Sequence, residues 1–186
     1  VSRGDRTIFS QLNFEVAPGE ILHVQGRNGA GKTTLLETLG GLRVPAAGTI
    51  EGGPQTAQRH WLGHRSGLNA ALTPVENLQF WCALNGAPDD QILPALEQLG
   101  VKTQRHRLCG ALSTGQRRRA ALARLLVARR PWWFLDEPLA GVDAAGVQVI
   151  VDLLGAHARA GGAAVVTSHQ ALPGNLPNLR VLALAI

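Results

Sequence analysis

The feature that most constrains the fold of this chain is a glycine-rich stretch, Gly26-Arg27-Asn28-Gly29-Ala30-Gly31-Lys32-Thr33-Thr34. It follows the apolar run 21–24, which favours a strand, and leads into Leu35–Leu39, which favours a helix. Such a turn points successive backbone N–H groups into one concavity, and the positive N-terminal end of the helix adds to the attraction for phosphate oxygens. The pattern therefore predicts a nucleoside triphosphate site rather than a plain glycine turn. The residues expected to contact the nucleotide are Gly26, Asn28, Gly29, Ala30, Gly31, Lys32, Thr33 and Thr34.

Two carboxylates follow the apolar segment Trp132–Leu135. In phosphate-loop nucleotidases a strand of this kind lies beside the loop, so Asp136 can hold Mg²⁺ together with the Thr33 hydroxyl. Glu137 would then face the γ-phosphate, where it orients or deprotonates the attacking water. Asp-Glu before a proline is also an ordinary end of a strand, but the complete phosphate loop upstream favours the catalytic interpretation. Lys32 is expected to supply a mobile ammonium for the β- and γ-phosphates.

The order of apolar runs and turn residues predicts an α/β fold in one domain of 186 residues. Alternating strands and helices around a phosphate loop predict a three-layer P-loop NTPase fold with a mainly parallel sheet. We also expect a small antiparallel β subdomain and a helical subdomain at about 73–128, inserted into the core of the single domain 1–186. The expected strands are 9–16, 21–25, 49–51, 61–63, 132–135, 163–167 and 180–184. The expected helices are one ending at 40–41, two within 73–99 separated near 85–88, and those at 114–128 and 144–160.

Composition narrows the classes of protein that fit. No apolar run is long enough to span a bilayer and the first residues lack a signal-peptide pattern, so a cytoplasmic location is expected. Cys82 and Cys109 are far apart, which favours two reduced thiols over a disulfide or a metal site. The net charge is +5 and arginines cluster at 117–130. Such a cluster can bind nucleic acid or anionic lipid. We instead expect a solvated helix face.

A second helix start has the chemistry of a phosphate contact. Leu112-Ser113-Thr114-Gly115-Gln116 precedes the arginine-rich helix, and Ser113 is a suitable N-cap. The helix presents a positive end and a small, open backbone at Gly115. A chain that already has one phosphate loop has no evident use for another, but a second copy could have its bound γ-phosphate closed by this helix. His169, which follows the segment 163–167, can donate a hydrogen bond to the same phosphate.

These motifs, together with Asp143, resemble those of the ATP-binding-cassette (ABC) ATPase family in their order and spacing, over essentially the whole chain. The phosphate loop is shared with many nucleotidases, whereas the Leu-Ser-Thr-Gly-Gln signature is specific to this family. The resemblance implies a head-to-tail homodimer that binds two ATP molecules, each between one phosphate loop and the opposing signature helix. It implies that Ser113, Gly115 and Gln116 contact the ATP of the other copy, that Asp143 links the two sites, and that Glu137 is the catalytic base.

A narrower resemblance is to the ATP-binding subunits of cytochrome c maturation (haem exporter) systems. It is carried by the short chain, by the segments 62–68, 72–78 and 112–124, and by Ser168-His169-Gln170. It implies an ATPase bound peripherally at the cytoplasmic face of the inner membrane, to integral membrane transporter subunits. Its ATP hydrolysis would power haem export or release of a haem-loaded chaperone, and no nucleic-acid partner is expected.

Two positions depart from the family pattern. Arg65, in Gly63-His64-Arg65, stands where the family usually has a glutamine that contacts Mg²⁺ and couples to the membrane subunit. A guanidinium cannot ligate a cation, so that role is altered, lost or taken by a neighbour. The aromatic residue that commonly stacks on adenine is absent near Val1–Arg3. Adenine would then pack on an aliphatic surface or on a residue that precedes Val1.

Three other functions remain open on the sequence alone. A soluble ABC ATPase that acts on ribosomes or DNA usually carries two cassettes or a long coiled-coil insertion, and neither is present. An ABC transporter subunit for another cargo has the same motifs, because cargo is selected by membrane subunits. A small-molecule kinase shares the phosphate loop but leaves the signature 112–116 and His169 unexplained.

Overall fold

The computed structural model describes residues 2–3, 6–7 and 12–184. The described strands are β1 (Ser2–Arg3), β2 (Arg6–Thr7), β3 (Ile21–Gln25), β4 (Arg59–Leu62), β5 (Trp132–Asp136), β6 (Ala163–Thr167) and β7 (Leu179–Ala183). The described α-helices are α1 (Lys32–Leu39), α2 (Pro74–Asn85), α3 (Ile92–Gln98), α4 (Thr114–Leu122), α5 (Arg124–Val127) and α6 (Ala144–Arg159). Short 3₁₀ turns lie at Thr56–Gln58, Asp89–Gln91, Lys102–Gln104 and Cys109–Ala111.

The main sheet of the described chain contains β3 to β7 in the order β4-β5-β6-β3-β7. The pairs β3–β6, β3–β7 and β5–β6 are parallel, which confirms the predicted mainly parallel sheet. Thr167, the last residue of β6, is in register with Val24 on one side and Asp136 on the other. Because parallel strands end at the same edge, the residues that follow β3, β5 and β6 lie beside one another.

The chain divides into two compact units, and the first comprises residues 1–61, 130–137 and 154–186. Its core is built from apolar side chains of the central strands and of α1, among them Leu22, Leu36, Phe134 and Val165. All five residues of β6 are buried, as expected for a strand that is paired on both edges. This core fixes the sheet edge at which the phosphate loop begins.

The second unit comprises residues 62–129 and 138–153 and contains α2 to α5. Its buried side chains include Leu78 of α2, Leu96 of α3 and Leu125 of α5, whose helices contact one another. Thr73 caps α2, since its hydroxyl accepts from the Glu76 N–H and the Glu76 carboxylate accepts from the Thr73 N–H. This reciprocal capping box confirms the predicted start of the helix.

Several predicted boundaries are wrong. Residues 12–16 of the predicted strand 9–16 form no strand, and 9–11 lie outside the described residues. The predicted strand 49–51 is irregular and exposed, because it pairs with no other strand in the described chain. The described antiparallel pairing is that of β1 with β2. The predicted helix 114–128 is interrupted at Ala123, where α4 ends and α5 begins. No helix within the described residues is long and apolar enough to cross a membrane.

Candidate functional site

The phosphate loop joins β3 to α1 through backbone conformations that glycine adopts readily. Gly29 has φ +84° and Gly31 has φ +91°, both in the left-handed region that disfavours side chains. Gly31 occupies the N-cap position of α1 and its carbonyl accepts from the Leu35 N–H at 2.8 Å. These turns place the first amides of α1 at the end of the loop, where an anion is attracted by the helix N-terminus.

Lys32 is held against the loop from which it extends. Its Nζ donates to the Gly26 carbonyl at 2.8 Å, and its side chain is only 7% exposed. The same ammonium lies 3.7 Å from Glu137 Oε1 and 3.5 Å from His169 Nδ1. The ammonium is therefore anchored in this structure, whereas the sequence analysis expected a mobile one.

Thr33 and Asp136 meet across the sheet edge. Thr33 Oγ1 lies 3.2 Å from Asp136 Oδ1 and 3.0 Å from Oδ2, so the hydroxyl donates to the carboxylate. Asp136 is 2% exposed and is the last residue of β5. The pairing of a hydroxyl with a carboxylate oxygen is a donor set that Mg²⁺ accepts.

Glu137 follows Asp136 in a backbone conformation that is unusual for a residue with a side chain. Its φ is +50°, in the left-handed region. Its Oε1 lies 3.2 Å from His169 Nε2, and its Oε2 accepts from the His169 backbone N–H at 3.2 Å. The ammonium of Lys32 can only donate, so His169 Nδ1 accepts and the ring proton is on Nε2, facing the carboxylate. The structure thus brings Lys32, Thr33, Asp136, Glu137 and His169 together.

Thr167 is a buried residue of this cluster that the sequence analysis missed. Its hydroxyl donates to Asp136 Oδ1 at 2.7 Å and accepts from the Glu137 N–H at 2.9 Å. The residue is 0% exposed. The signal in the sequence was a hydroxyl at the end of an otherwise apolar strand, two residues before His169.

His23 is a second buried polar residue that the sequence analysis missed. It lies in the middle of β3 and is fully buried. Burial lowers the pKa of His23, and this effect outweighs a hydrogen bond with the backbone of Ser168 and the charge of Glu137, which both raise it. The imidazole is therefore neutral in the folded protein at neutral pH.

The predicted contacts Ser113, Gly115 and Gln116 lie in the second unit. Ser113 caps α4, with its Oγ accepting from the Gln116 N–H at 3.2 Å and the Gln116 side chain accepting from the Ser113 N–H at 3.0 Å. The N-cap prediction is confirmed, whereas the expected open backbone at Gly115 is wrong. A Cβ added there would lie 2.9 Å from the Gly141 carbonyl oxygen, so glycine is required by packing.

Asp143 also belongs to the second unit and is exposed. Its Oδ1 accepts from the Gly146 N–H at 3.0 Å, three residues into the chain that forms α6. This is the geometry of an N-cap, which satisfies one of the free amides at the start of the helix. The second carboxylate oxygen and the exposed position suit a further contact.

The arginines at 117–130 do not form the predicted solvated face, because most of their guanidinium groups donate to backbone carbonyl oxygens. Arg118 is 4% exposed and donates to the carbonyls of Gly63 and His64, at 2.8 and 3.3 Å. Arg124 donates to the carbonyl of Ser66 and lies 5.2 Å over the ring of Trp81. Burial, with the nearby charge of Arg118, lowers the pKa of Arg124 to about 10. Carbonyl oxygens thus replace water around these cations.

The same arginine contacts hold the loop on which Arg65 lies. Arg118 and Arg124 hold the main chain of residues 63–66, and Arg65 itself is exposed on that loop. Its side chain is directed to solvent in the described structure, where a partner can reach it. The side chains of Val1–Arg3, where a contact with adenine was in question, lie outside the described residues.

Comparison with known proteins identifies relatives over nearly the whole chain. Residues 9–140 match the ABC transporter family. The chain is 41% identical to the cytochrome c biogenesis ATP-binding export protein CcmA of Rhodopseudomonas palustris (strain HaA2), over 98% of this chain and 94% of that protein. It is 43% identical to the protein of the same name from Rhodobacter capsulatus, over 100% of this chain and 84% of that protein. A solved ATP-binding cassette, dimeric in a post-hydrolysis state with ADP and Pi, shares the fold with a TM-score of 0.83 at 22% identity, over 99% of this chain and 90% of that one.

Proposed function

The chain belongs to the ABC transporter family and is an ATPase, and we propose that it powers an export system that serves cytochrome c biogenesis. The support for this role is the identity of 41% and 43% with relatives of that name, over most of both chains. We further propose that the work is export of haem or release of a haem-loaded chaperone, as in the systems whose ATP-binding subunits the sequence resembles.

The observation that carries the catalytic part of the proposal is the cluster around Glu137. Lys32 and His169 flank its Oε1 at 3.7 and 3.2 Å, next to the first turn of α1. We assign Lys32 and the loop amides to the phosphates of ATP, Glu137 to the attacking water, and His169 Nε2–H to the γ-phosphate. The Lys32 and His169 contacts keep the carboxylate oriented until the nucleotide arrives. The loop residues Gly26, Asn28, Gly29, Ala30, Gly31, Thr33 and Thr34 complete the proposed nucleotide site.

Mg²⁺ fits the oxygen atoms at the sheet edge. Thr33 Oγ1 and the carboxylate of Asp136 are within 3.2 Å of each other, and both atom types are ordinary Mg²⁺ ligands. Mg²⁺ in nucleotide sites is held by one or two carboxylates together with phosphate oxygens of the substrate. We therefore assign Thr33 and Asp136 to hold it. The bound ion would supply positive charge that offsets repulsion between the carboxylates and the triphosphate.

The proposal requires two copies of the chain. Ser113, Gly115 and Gln116 of one copy would close over the ATP held by the other, with Asp143 linking the two sites. The Ser113 hydroxyl accepts a hydrogen bond in the capping box and keeps its own proton for donation to a phosphate. The integral membrane subunits of the exporter would bind the dimer at the cytoplasmic face of the inner membrane.

The variant Glu137→Gln tests the catalytic assignment. We expect kcat for ATP hydrolysis to fall about 100- to 10,000-fold, the usual contribution of a general base. ATP binding should persist, and a dimer should accumulate with ATP in size-exclusion chromatography. Glu51→Gln, at an exposed position, is the matched control and should hydrolyse ATP like the wild type. Wild-type turnover by Glu137→Gln would show that Glu137 is not the base.

Two further experiments test the transport assignment. Purification of the tagged chain in detergent should recover integral membrane proteins, and recovery of the chain alone contradicts the exporter. Deletion of the gene in its host should abolish covalent attachment of haem to c-type cytochromes, while b-type cytochromes are kept. Restoration by the wild type but not by Glu137→Gln is expected. Normal c-type cytochromes in the deletion strain would exclude this cargo.

A further inference from the structure

We propose that Thr167 is a positioning residue for ATP hydrolysis, whose hydroxyl holds Asp136 and Glu137 in their working orientation. The inference rests on the catalytic roles proposed above for those two carboxylates. The Thr167 hydroxyl contacts Asp136 and Glu137, and we infer that the residue affects hydrolysis through these two neighbours in the sheet.

The direction of both hydrogen bonds follows from chemistry. The Glu137 backbone N–H can only donate, so the Thr167 oxygen accepts at 2.9 Å. The single hydroxyl proton is therefore free for Asp136 Oδ1, which can only accept as a carboxylate, at 2.7 Å. The hydroxyl thus satisfies two adjacent residues at once, in a position from which water is excluded.

The residue held in this way is strained. Glu137 has φ +50°, a conformation that L-residues disfavour because the Cβ approaches the following carbonyl oxygen. Such conformations persist where surrounding contacts specify them. The Glu137 N–H donates to two acceptors of Thr167, the hydroxyl oxygen at 2.9 Å and the carbonyl oxygen at 3.1 Å. The side chain of Glu137 leaves the sheet edge in the direction that this conformation sets.

The same hydroxyl also fixes the carboxylate of Asp136. The Thr167 hydroxyl lies 2.7 Å from Asp136 Oδ1, closer than the Thr33 hydroxyl at 3.2 Å. Removal of the Thr167 hydroxyl therefore loosens the orientation of the carboxylate plane about its last side-chain bond. The backbone contact between Glu137 N–H and the Thr167 carbonyl does not involve the side chain, so the strand pairing survives removal of the hydroxyl.

Thr167→Val is the central test, because valine keeps the shape of threonine and removes the hydroxyl. We expect kcat to fall about 10- to 100-fold, as for other residues that orient a metal ligand through a hydrogen bond. The KM for ATP and the affinity for ATP without Mg²⁺ should stay within about threefold of wild type, since phosphate binding is left intact. Thr167→Ser keeps the hydroxyl and should retain activity within about threefold of wild type.

A matched control separates this role from stability. Thr38 is also a buried threonine, 3% exposed, whose hydroxyl donates at 2.7 Å, but to the Thr34 carbonyl within α1. Thr38→Val should therefore lower the midpoint of urea unfolding about as much as Thr167→Val, and should leave kcat within about twofold of wild type. A loss of kcat specific to Thr167→Val, with recovery in Thr167→Ser, supports the proposal.

The results that overturn the proposal are distinct from those that overturn the function. If Glu137→Gln is inactive and Thr167→Val is as active as Thr38→Val, only the role of Thr167 is refuted. An equal loss of kcat in Thr167→Ser and Thr167→Val also refutes it, because the hydroxyl is then not what matters. If Glu137→Gln hydrolyses ATP at the wild-type rate, the catalytic assignment and the role of Thr167 fail together.

Discussion

Gly115→Ala tests the close packing of the signature turn against the loop that contains Gly141. A Cβ at residue 115 would lie 2.9 Å from the Gly141 carbonyl oxygen and 3.3 Å from the Val142 Cα. Both neighbours are backbone atoms, so relief requires the start of α4 or the loop to move by about 0.5 Å, the shortfall from ordinary contact at 3.4 Å. Overpacking of this kind costs about 1–3 kcal/mol, and alanine recovers at most about 1 kcal/mol as a helix residue.

Gly174→Ala is the control for this substitution. Its Cβ would meet nothing within 4 Å, and the position has no positive φ. Alanine there should be neutral or stabilise by up to about 1 kcal/mol, through the unfolded chain. We therefore expect Gly115→Ala to be less stable than Gly174→Ala by about 2 kcal/mol in urea unfolding. The displaced turn should also lower ATPase activity. Equal stability of the two variants would refute the packing argument.

Two further predictions concern His23 and His157. Burial lowers the pKa of His23 and of His157 below the ordinary value of 6.5. Below that pH the unfolded chain therefore binds protons that the folded protein does not. The free energy of unfolding should be constant above about pH 7 and should fall as the pH drops through 6.5, by up to about 1.4 kcal/mol per pH unit for each histidine. His157→Phe should remove one histidine's share of this slope in urea unfolding, and an unchanged slope contradicts the assignment. Gly162→Ala should destabilise the protein by about 3 kcal/mol or more, because the added Cβ would lie 2.1 Å from the His157 ring. That ring is stacked on Trp133, with 3.6 Å between the ring centroids. A free energy of unfolding equal to that of Gly174→Ala would refute this prediction.

The parts of the fold that were predicted from the sequence depend on local chemistry. The phosphate loop needs glycines at fixed positions, and the N-cap at Ser113 accepts from an amide only three residues away. Such signals lie within a few residues, so they can be interpreted without knowledge of the tertiary structure. The buried central strands were predicted for a related reason, since a short run of apolar residues such as 163–167 is typical of a buried strand.

The errors arose where a distant partner decides the outcome. The strand 49–51 has a suitable local pattern, but no strand in the described chain pairs with it. The arginines were assigned to a solvated face because charged side chains usually are exposed. Arg118 is instead buried and donates to the carbonyl of Gly63, 55 residues earlier in the chain. The periodicity of the sequence cannot indicate such a distant partner. Thr167 was missed for the same reason, since its partners Asp136 and Glu137 are brought to it only by the sheet.

The arginine contacts on the loop 63–66 have a consequence for how its sequence can vary. Arg118 and Arg124 bind carbonyl oxygens, which every amino acid carries, so the path of the loop does not depend on the side chains it displays. A substitution at position 65 can then change the chemistry offered to a partner while the backbone keeps its course. The loop can therefore carry a cation at Arg65 without a change in the path of its backbone.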